Sequence, residues 1–281
     1  CSNTGYRGRV AIFEVLPVLN RYADERDIRQ FRECLAEYVG LPARHLILSP
    51  GSDLLLREII HRFSNGRRVV TVSPSFFPTL QVANRFAVQH VSLRLSPPDF
   101  RLNPKLLMRE LPASSLTIID NPNNPTGRLL LDADRISRII RNEERLLVVD
   151  EAYFEFSGVT FAHWVTDHPN LCVVRTMDKA FGLAGARLGY AIAGETFLNA
   201  LSSFYAFMPR VSLSVGREAL RNRDYVRTNV HRTLGEREQV RQALNEAHQQ
   251  VSVGARVYSS KTNFLLVKTK DPDVAERLKE A

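Results

Sequence analysis

Cysteine is scarce: Cys1, Cys34 and Cys172 stand alone at unrelated spacings. Three such residues exclude a disulfide framework and a paired-cysteine metal site, and they predict a reducing, cytoplasmic setting. Long apolar runs are also missing. Nothing approaches the roughly 20 residues of a membrane span, and no basic-then-apolar leader opens the chain, so no membrane role is expected. The first residue is Cys1 instead of Met, and an absent N-terminal piece is expected. There is no compact block of lysine and arginine either. The 38 basic residues are interspersed with 30 acidic ones, so the net charge of +8 suits phosphorylated small molecules at least as well as nucleic acid, and no nucleic-acid partner is expected. His163, His168 and Cys172 share one stretch, but their spacing matches neither a zinc pattern nor a helical pair. They read as loop residues, and no metal site is expected.

What is present is a chain of 281 residues, 44% of them hydrophobic, long enough for two domains. Residues 45–50, 68–74, 115–120, 145–153, 171–177 and 187–193 are short, nearly continuous apolar runs rich in Val, Ile and Leu. Such runs predict strands buried on both faces. Between them, 52–63, 79–86 and 132–142 carry apolar residues at three- and four-residue spacing, which predicts helices. This alternation predicts an α/β fold, a mostly parallel sheet covered by helices. From Asp224 to Gln250 the pattern becomes a long, charge-rich helix; two strands and the start of a further helix at 271–281 follow. The expected organisation is an N-terminal arm over 1–30, a large domain over 31–222 and a smaller, truncated α+β domain over 223–281.

In open sheets of this kind ligands bind at the carboxyl ends of strands. Five predicted strand ends carry polar groups: Gly51-Ser52-Asp53, Pro74-Ser75-Phe76, Asn121 to Gly127, Asp150 to Tyr153, and Asp178-Lys179. Each has a plain structural reading as a helix cap, a turn, a salt bridge or a solvated lysine. Together they match one chemistry. A lysine amine can bond an aldehyde cofactor, an aspartate can keep a pyridine nitrogen protonated, and a helix N-terminus with an arginine can anchor a phosphate. That cofactor is pyridoxal 5'-phosphate.

The stretch Arg175-Thr176-Met177-Asp178-Lys179, followed by Leu183-Ala184-Gly185-Ala186-Arg187-Leu188-Gly189-Tyr190, comes after Gly51-Ser52-Asp53, the 121–127 run NPNNPTG and Asp150-Glu151-Ala152-Tyr153. In that order these motifs resemble the fold type I pyridoxal-phosphate aminotransferases and, within them, the histidinol-phosphate aminotransferases. The resemblance covers about Asn20 to Lys268. It implies the large and small domains of that fold and a homodimer acting on a small-molecule amino donor and keto acceptor, in histidine biosynthesis. It also implies that Lys179 is the Schiff-base lysine and proton shuttle, that Asp150 pairs with the pyridine nitrogen, and that Asn124 and Tyr153 bond the ring hydroxyl oxygen. Phe76 would stack on the ring. Ser52, Asp53, Thr176 and Arg187 would surround the phosphate, the first two through backbone N–H groups. Tyr22 would reach the phosphate of the neighbouring subunit, or is a surface tyrosine. Tyr6 is a candidate substrate contact.

The chain departs from the family in two places. Asp178 stands where the family has a phosphate-binding serine, and an anion there should repel phosphate unless Arg175 or Arg187 turns toward it. The chain also stops at Ala281, before the region of the arginine that grips the substrate carboxylate. Beside amino transfer from histidinol phosphate to 2-oxoglutarate, two readings stay open: a decarboxylase of threonine phosphate, and a non-catalytic binding protein on the same scaffold.

Overall fold

The computed structural model describes residues 20–87, 89–204, 206–251, 256–269 and 273. Tyr6 lies outside them, as does the helix expected over 271–281 apart from Asp273. In chain order the elements begin with α1 (Glu25–Val39), β1 (Leu46–Ser49), α2 (Ser52–Phe63), β2 (Arg68–Ser73), α3 (Phe77–Phe86) and β3 (Gln89–Arg94). Then come α4 (Pro104–Glu110), β4 (Ser115–Asp120), α5 (Ala133–Ile140), β5 (Arg145–Asp150), α6 (Phe154–Ser157), β6 (Leu171–Thr176) and β7 (Gly189–Ala193). The remainder is α7 (Glu195–Ala200), α8 (Arg210–Arg221), the long α9 (Arg223–Val251), β8 (Arg256–Val257) and β9 (Val267–Lys268).

Seven strands form one sheet in the order β1-β7-β6-β5-β4-β2-β3. The continuous apolar runs fill both of its faces. Within β5, Leu147 and Val149 join the core on one face while Leu146 and Val148 join the core on the other, because successive side chains of a strand point to opposite sides. Strand β6 divides Leu171 and Val173 from Cys172 and Val174 in the same way. Helix α2 buries Leu55, Leu56, Ile59, Ile60 and Phe63, the stripe that its three- and four-residue spacing predicts.

The sheet is mixed. The pairs β3–β2, β2–β4, β4–β5 and β5–β6 are parallel, whereas β7 runs antiparallel to both β6 and β1. The start of β7 therefore lies at the edge where the other strands end. Periodicity alone does not reveal β3: its residues alternate polar and apolar at the sheet edge, and only Leu93 is buried. Nor does it reveal α1, which runs across residue 30. That helix opens with a reciprocal Asp24/Asp27 capping box and closes at Gly40 in the left-handed region, φ 78°. Its buried residues are Phe31, Leu35 and Val39, and a side chain on Gly216 of α8 would collide with Phe31 and Leu188.

Behind the carboxyl ends of β5 and β6 lies a buried ion pair. Glu151 is fully buried and receives Nε and Nη2 of Arg175 at 3.0 and 2.9 Å, the hydroxyl of Thr160 and the backbone N–H of Phe161. The guanidinium also lies over the Phe154 ring, 3.5 Å from its centroid. Burial opposes its charge, but Glu151, Tyr190 and Glu155 together more than offset this and leave Arg175 more firmly protonated than usual. Removing one partner of such a pair strands the other charge. Arg175→Met, which keeps the bulk of the side chain, is expected to lower unfolding stability by about 3–5 kcal/mol in urea denaturation. A loss below about 1 kcal/mol would show that Glu151 has other compensation.

Candidate active site

Four parallel strand ends and the turn between β6 and β7 meet at one cavity of 260 Å³. Ser52 and Asp53 open α2 on one side of it. The N-cap is Gly51, at φ 91°, with no side chain closing the first turn. A side chain at Gly51 would overlap the Arg187 guanidinium, and one at Gly189 would overlap the Gly51–Ser52 backbone. The two glycines thus let β7 and Arg187 approach the helix N-terminus, whose N–H groups favour an anion. Arg187 itself lies in the left-handed region at φ 52°, uncommon for a residue with a Cβ. Its guanidinium is held by two carboxylates: Nη1 donates to Asp178 Oδ2 at 2.8 Å, and Nη2 donates to Asp53 Oδ1. Asp178 therefore draws Arg187, while Arg175 is committed to Glu151. Thr176 sits behind this pair, donating its hydroxyl to Leu188 O at 3.2 Å and accepting the Asp178 N–H at 3.1 Å.

Two carboxylates line the cavity at the ends of adjacent strands, since Asp120 of β4 and Asp150 of β5 are register partners. Both are almost fully buried. Asp120 accepts the Ser75 hydroxyl at 2.9 Å, Asn123 Nδ2 at 2.9 Å and the Asn124 N–H at 2.7 Å. Asp150 accepts the Ala152 N–H at 3.1 Å. Burial, and then the charge of Asp120, push the Asp150 carboxyl up to about 7, against the pull of the Ala152 N–H and Lys179. A cation in the cavity would favour the ionised form of such a carboxyl group. Tyr153 is pushed up to about 12 by burial and by the two carboxylates, so its phenol stays protonated and able to donate.

The NPNNPTG run divides its work. Asn121 is fully buried, and its Oδ1 takes the N–H groups of Leu130 and Leu131; Asn123, also fully buried, ties Pro74 O and Asp120 to Thr126. Asn124 is half-buried and lines the cavity. Phe76 lines it too, after β2. Lys179 follows β6, with Nζ 5.8 Å from the centroid of the Tyr153 ring. The same lysine borders a second cavity of 430 Å³, reached by Arg237, Asn263 and Phe264.

Among the described residues, every site residue expected from the sequence therefore lines the first cavity except Tyr22. Tyr22 is 80% exposed and packs on Phe207, with ring centroids 5.1 Å apart. Asp120 is the residue that sequence reasoning missed. The signal was available, because it ends a wholly buried strand as Asp150 does. Cys172 lies buried within β6, and among the described residues no group of three or more His, Cys, Asp or Glu is disposed to hold a metal.

The Asp150 shift has a consequence for stability. A carboxyl whose pKa rises from 3.8 unfolded to about 7 folded gives its full stabilisation below pH 3.8, and loses it as pH rises to about 7. Asp150→Asn removes this loss. The stability advantage of the variant over the wild type, without ligand, is expected to be about 2–3 kcal/mol larger at pH 8 than at pH 5 in urea denaturation. An advantage independent of pH would mean that Asp150 ionises normally.

The chain matches the family aminotransferase class I and II over residues 15–281. It is 33% identical over 258 residues to a histidinol-phosphate aminotransferase of Sulfurisphaera tokodaii, covering 89% of this chain and 70% of that protein. The crystal structure of histidinol-phosphate aminotransferase from Sinorhizobium meliloti in complex with pyridoxal-5'-phosphate superposes with a TM-score of 0.83 at 25% identity, covering 98% of this chain and 76% of that one. An L-threonine-O-3-phosphate decarboxylase from Porphyromonas gingivalis shares the fold, with a TM-score of 0.80 at 22% identity over 99% of this chain and 83% of that one. By the extent of the match and the identity to its relatives, the chain belongs to the class I and II aminotransferases.

Proposed function

We propose that this chain is a pyridoxal-phosphate-dependent aminotransferase that moves the amino group of histidinol phosphate to 2-oxoglutarate. One observation carries the reading: an amine, a buried carboxylate and an arginine at a helix N-terminus face a single cavity, as Lys179, Asp150 and Arg187. The donor set suits the cofactor. Arg187 and the open first turn of α2 match a phosphate, and Asp150 matches a protonated ring nitrogen. When bound, pyridoxal phosphate supplies an aldehyde carbon and an electron-withdrawing ring. The chain supplies the rest. Lys179 would hold the aldehyde through its amine and would carry the proton at the substrate carbon. Asp150 keeps the ring nitrogen protonated, Tyr153 and Asn124 orient the ring oxygen, and Phe76 covers a ring face. Ser52, Asp53 and Thr176 complete the phosphate seat around Arg187.

The reading includes a homodimer, a cytoplasmic setting and a division into an arm, a large domain and a small C-terminal domain. In support of the dimer, Tyr22 and Phe207 leave an exposed aromatic pair away from the cavity of their own chain. Tyr22 would complete the phosphate seat of the neighbouring subunit.

Three tests follow. With pyridoxal phosphate the protein is expected to show a visible absorption band that Lys179→Ala loses, and borohydride should fix the cofactor on Lys179. Labelling at another lysine defeats the assignment. Histidinol phosphate should bleach the band, whereas a threonine-phosphate decarboxylase would instead release carbon dioxide from threonine phosphate and a binding protein would do neither. Asp150→Asn should keep the cofactor yet lose at least about tenfold in amino transfer, and near-normal turnover would remove its role. Finally, mixing Tyr22→Ala subunits with Lys179→Ala subunits should restore part of the activity, because one hybrid site receives both native residues. No recovery under proven subunit exchange rejects the shared site.

A further inference from the structure

We propose that Asp178 limits the affinity of this site for phosphate by serving as an internal anion for Arg187, which an incoming phosphate must take from it. The inference rests on the reading of the cavity as a pyridoxal-phosphate site. Among the described residues, Lys179 and Arg187 are the basic side chains lining that cavity, and Arg187 is the one at the N-terminus of α2. It does not stand open to a ligand. It is shared between Asp178 and Asp53, so the seat already holds two carboxylates for one guanidinium.

The two carboxylates differ in their hold. The Asp53 side chain is 52% exposed, so water screens its ion pair and can replace it at little cost. The Asp178 side chain is only 11% exposed and is fixed through its own backbone N–H to Thr176. If Arg187 swings to a phosphate, Asp178 loses this counter-charge while largely shut from water, next to a dianion. The helix N-terminus offers only about half a positive charge against that repulsion. Lys179, the next residue, is committed to the aldehyde end of the cofactor under the proposed reading. Asp178 thus acts on the phosphate and not on the ring.

This separation supplies the test. The affinity of wild-type protein, Asp178→Asn and Asp178→Ser for pyridoxal 5'-phosphate, for pyridoxal without phosphate and for inorganic phosphate would be measured by equilibrium dialysis and calorimetry. The neutral variants are expected to bind pyridoxal phosphate and inorganic phosphate on the order of tenfold more tightly, and pyridoxal unchanged. A purely structural role predicts the opposite, because damage to the seat weakens binding. Equal or weaker phosphate binding by both Asp178 variants, with native circular dichroism, overturns the proposal. So does an equal gain for pyridoxal. Failure of wild-type protein to form a borohydride-trapped adduct on Lys179 defeats the proposed function instead, and the inorganic phosphate titration still decides the role of Asp178.

Discussion

Two carboxylates end adjacent parallel strands in register, and the organisation of the site follows from having to bury both. Burial raises the pKa of both, and the charge of Asp120 raises that of Asp150 further. The chain separates their roles with hydrogen bonds. Asp120 receives three donors and becomes the peg on which Ser75, Asn123 and the backbone of Asn124 hang. Asp150 receives one backbone donor and faces the cavity. One carboxylate builds the wall, and the other faces the cavity with a single hydrogen bond.

The opposite end of the cavity is governed by close approach. Only residues without a Cβ let the start of β7 lie against the Gly51–Ser52 peptide and let Arg187 cover the first turn of α2. The reversed direction of β7 brings Arg187 to the edge where β4, β5 and β6 end. A wholly parallel sheet would carry the residue preceding that strand to the far edge. The antiparallel strand is therefore part of how the basic side chain reaches the site.

Between these ends, the buried Arg175–Glu151 pair fixes the turn that carries Asp150 and Tyr153. Glu151 also donates its backbone N–H to Val174 O at 2.8 Å, which ties the end of β5 to β6 independently of the side chains. Neighbouring residues in sequence thus serve opposite faces of the sheet: Asp150 the cavity, and Glu151 the packing behind it.

Much of this was legible in the sequence. Continuous runs of Val, Ile and Leu gave the strands, because strands buried on both faces keep few polar residues, and three- and four-residue spacing placed α2 correctly at 52–63. Edge strand β3 escaped because one polar face breaks the run, and α1 because its apolar stripe is sparse among charges. The site residues at strand ends were legible because their order along the chain is a linear property. Partnership is not linear. Arg175 and Arg187 were equal candidates to meet Asp178, and alternation within β6 turned the first behind the sheet while the approach of β7 to α2 delivered the second. Asp120 joined Asp150 only through strand register. The sequence by itself determined which chemical groups stand at the strand ends. The tertiary structure decided which of them face the same cavity and how each is charged, because burial and distance between residues far apart in the chain exist only once the sheet has formed.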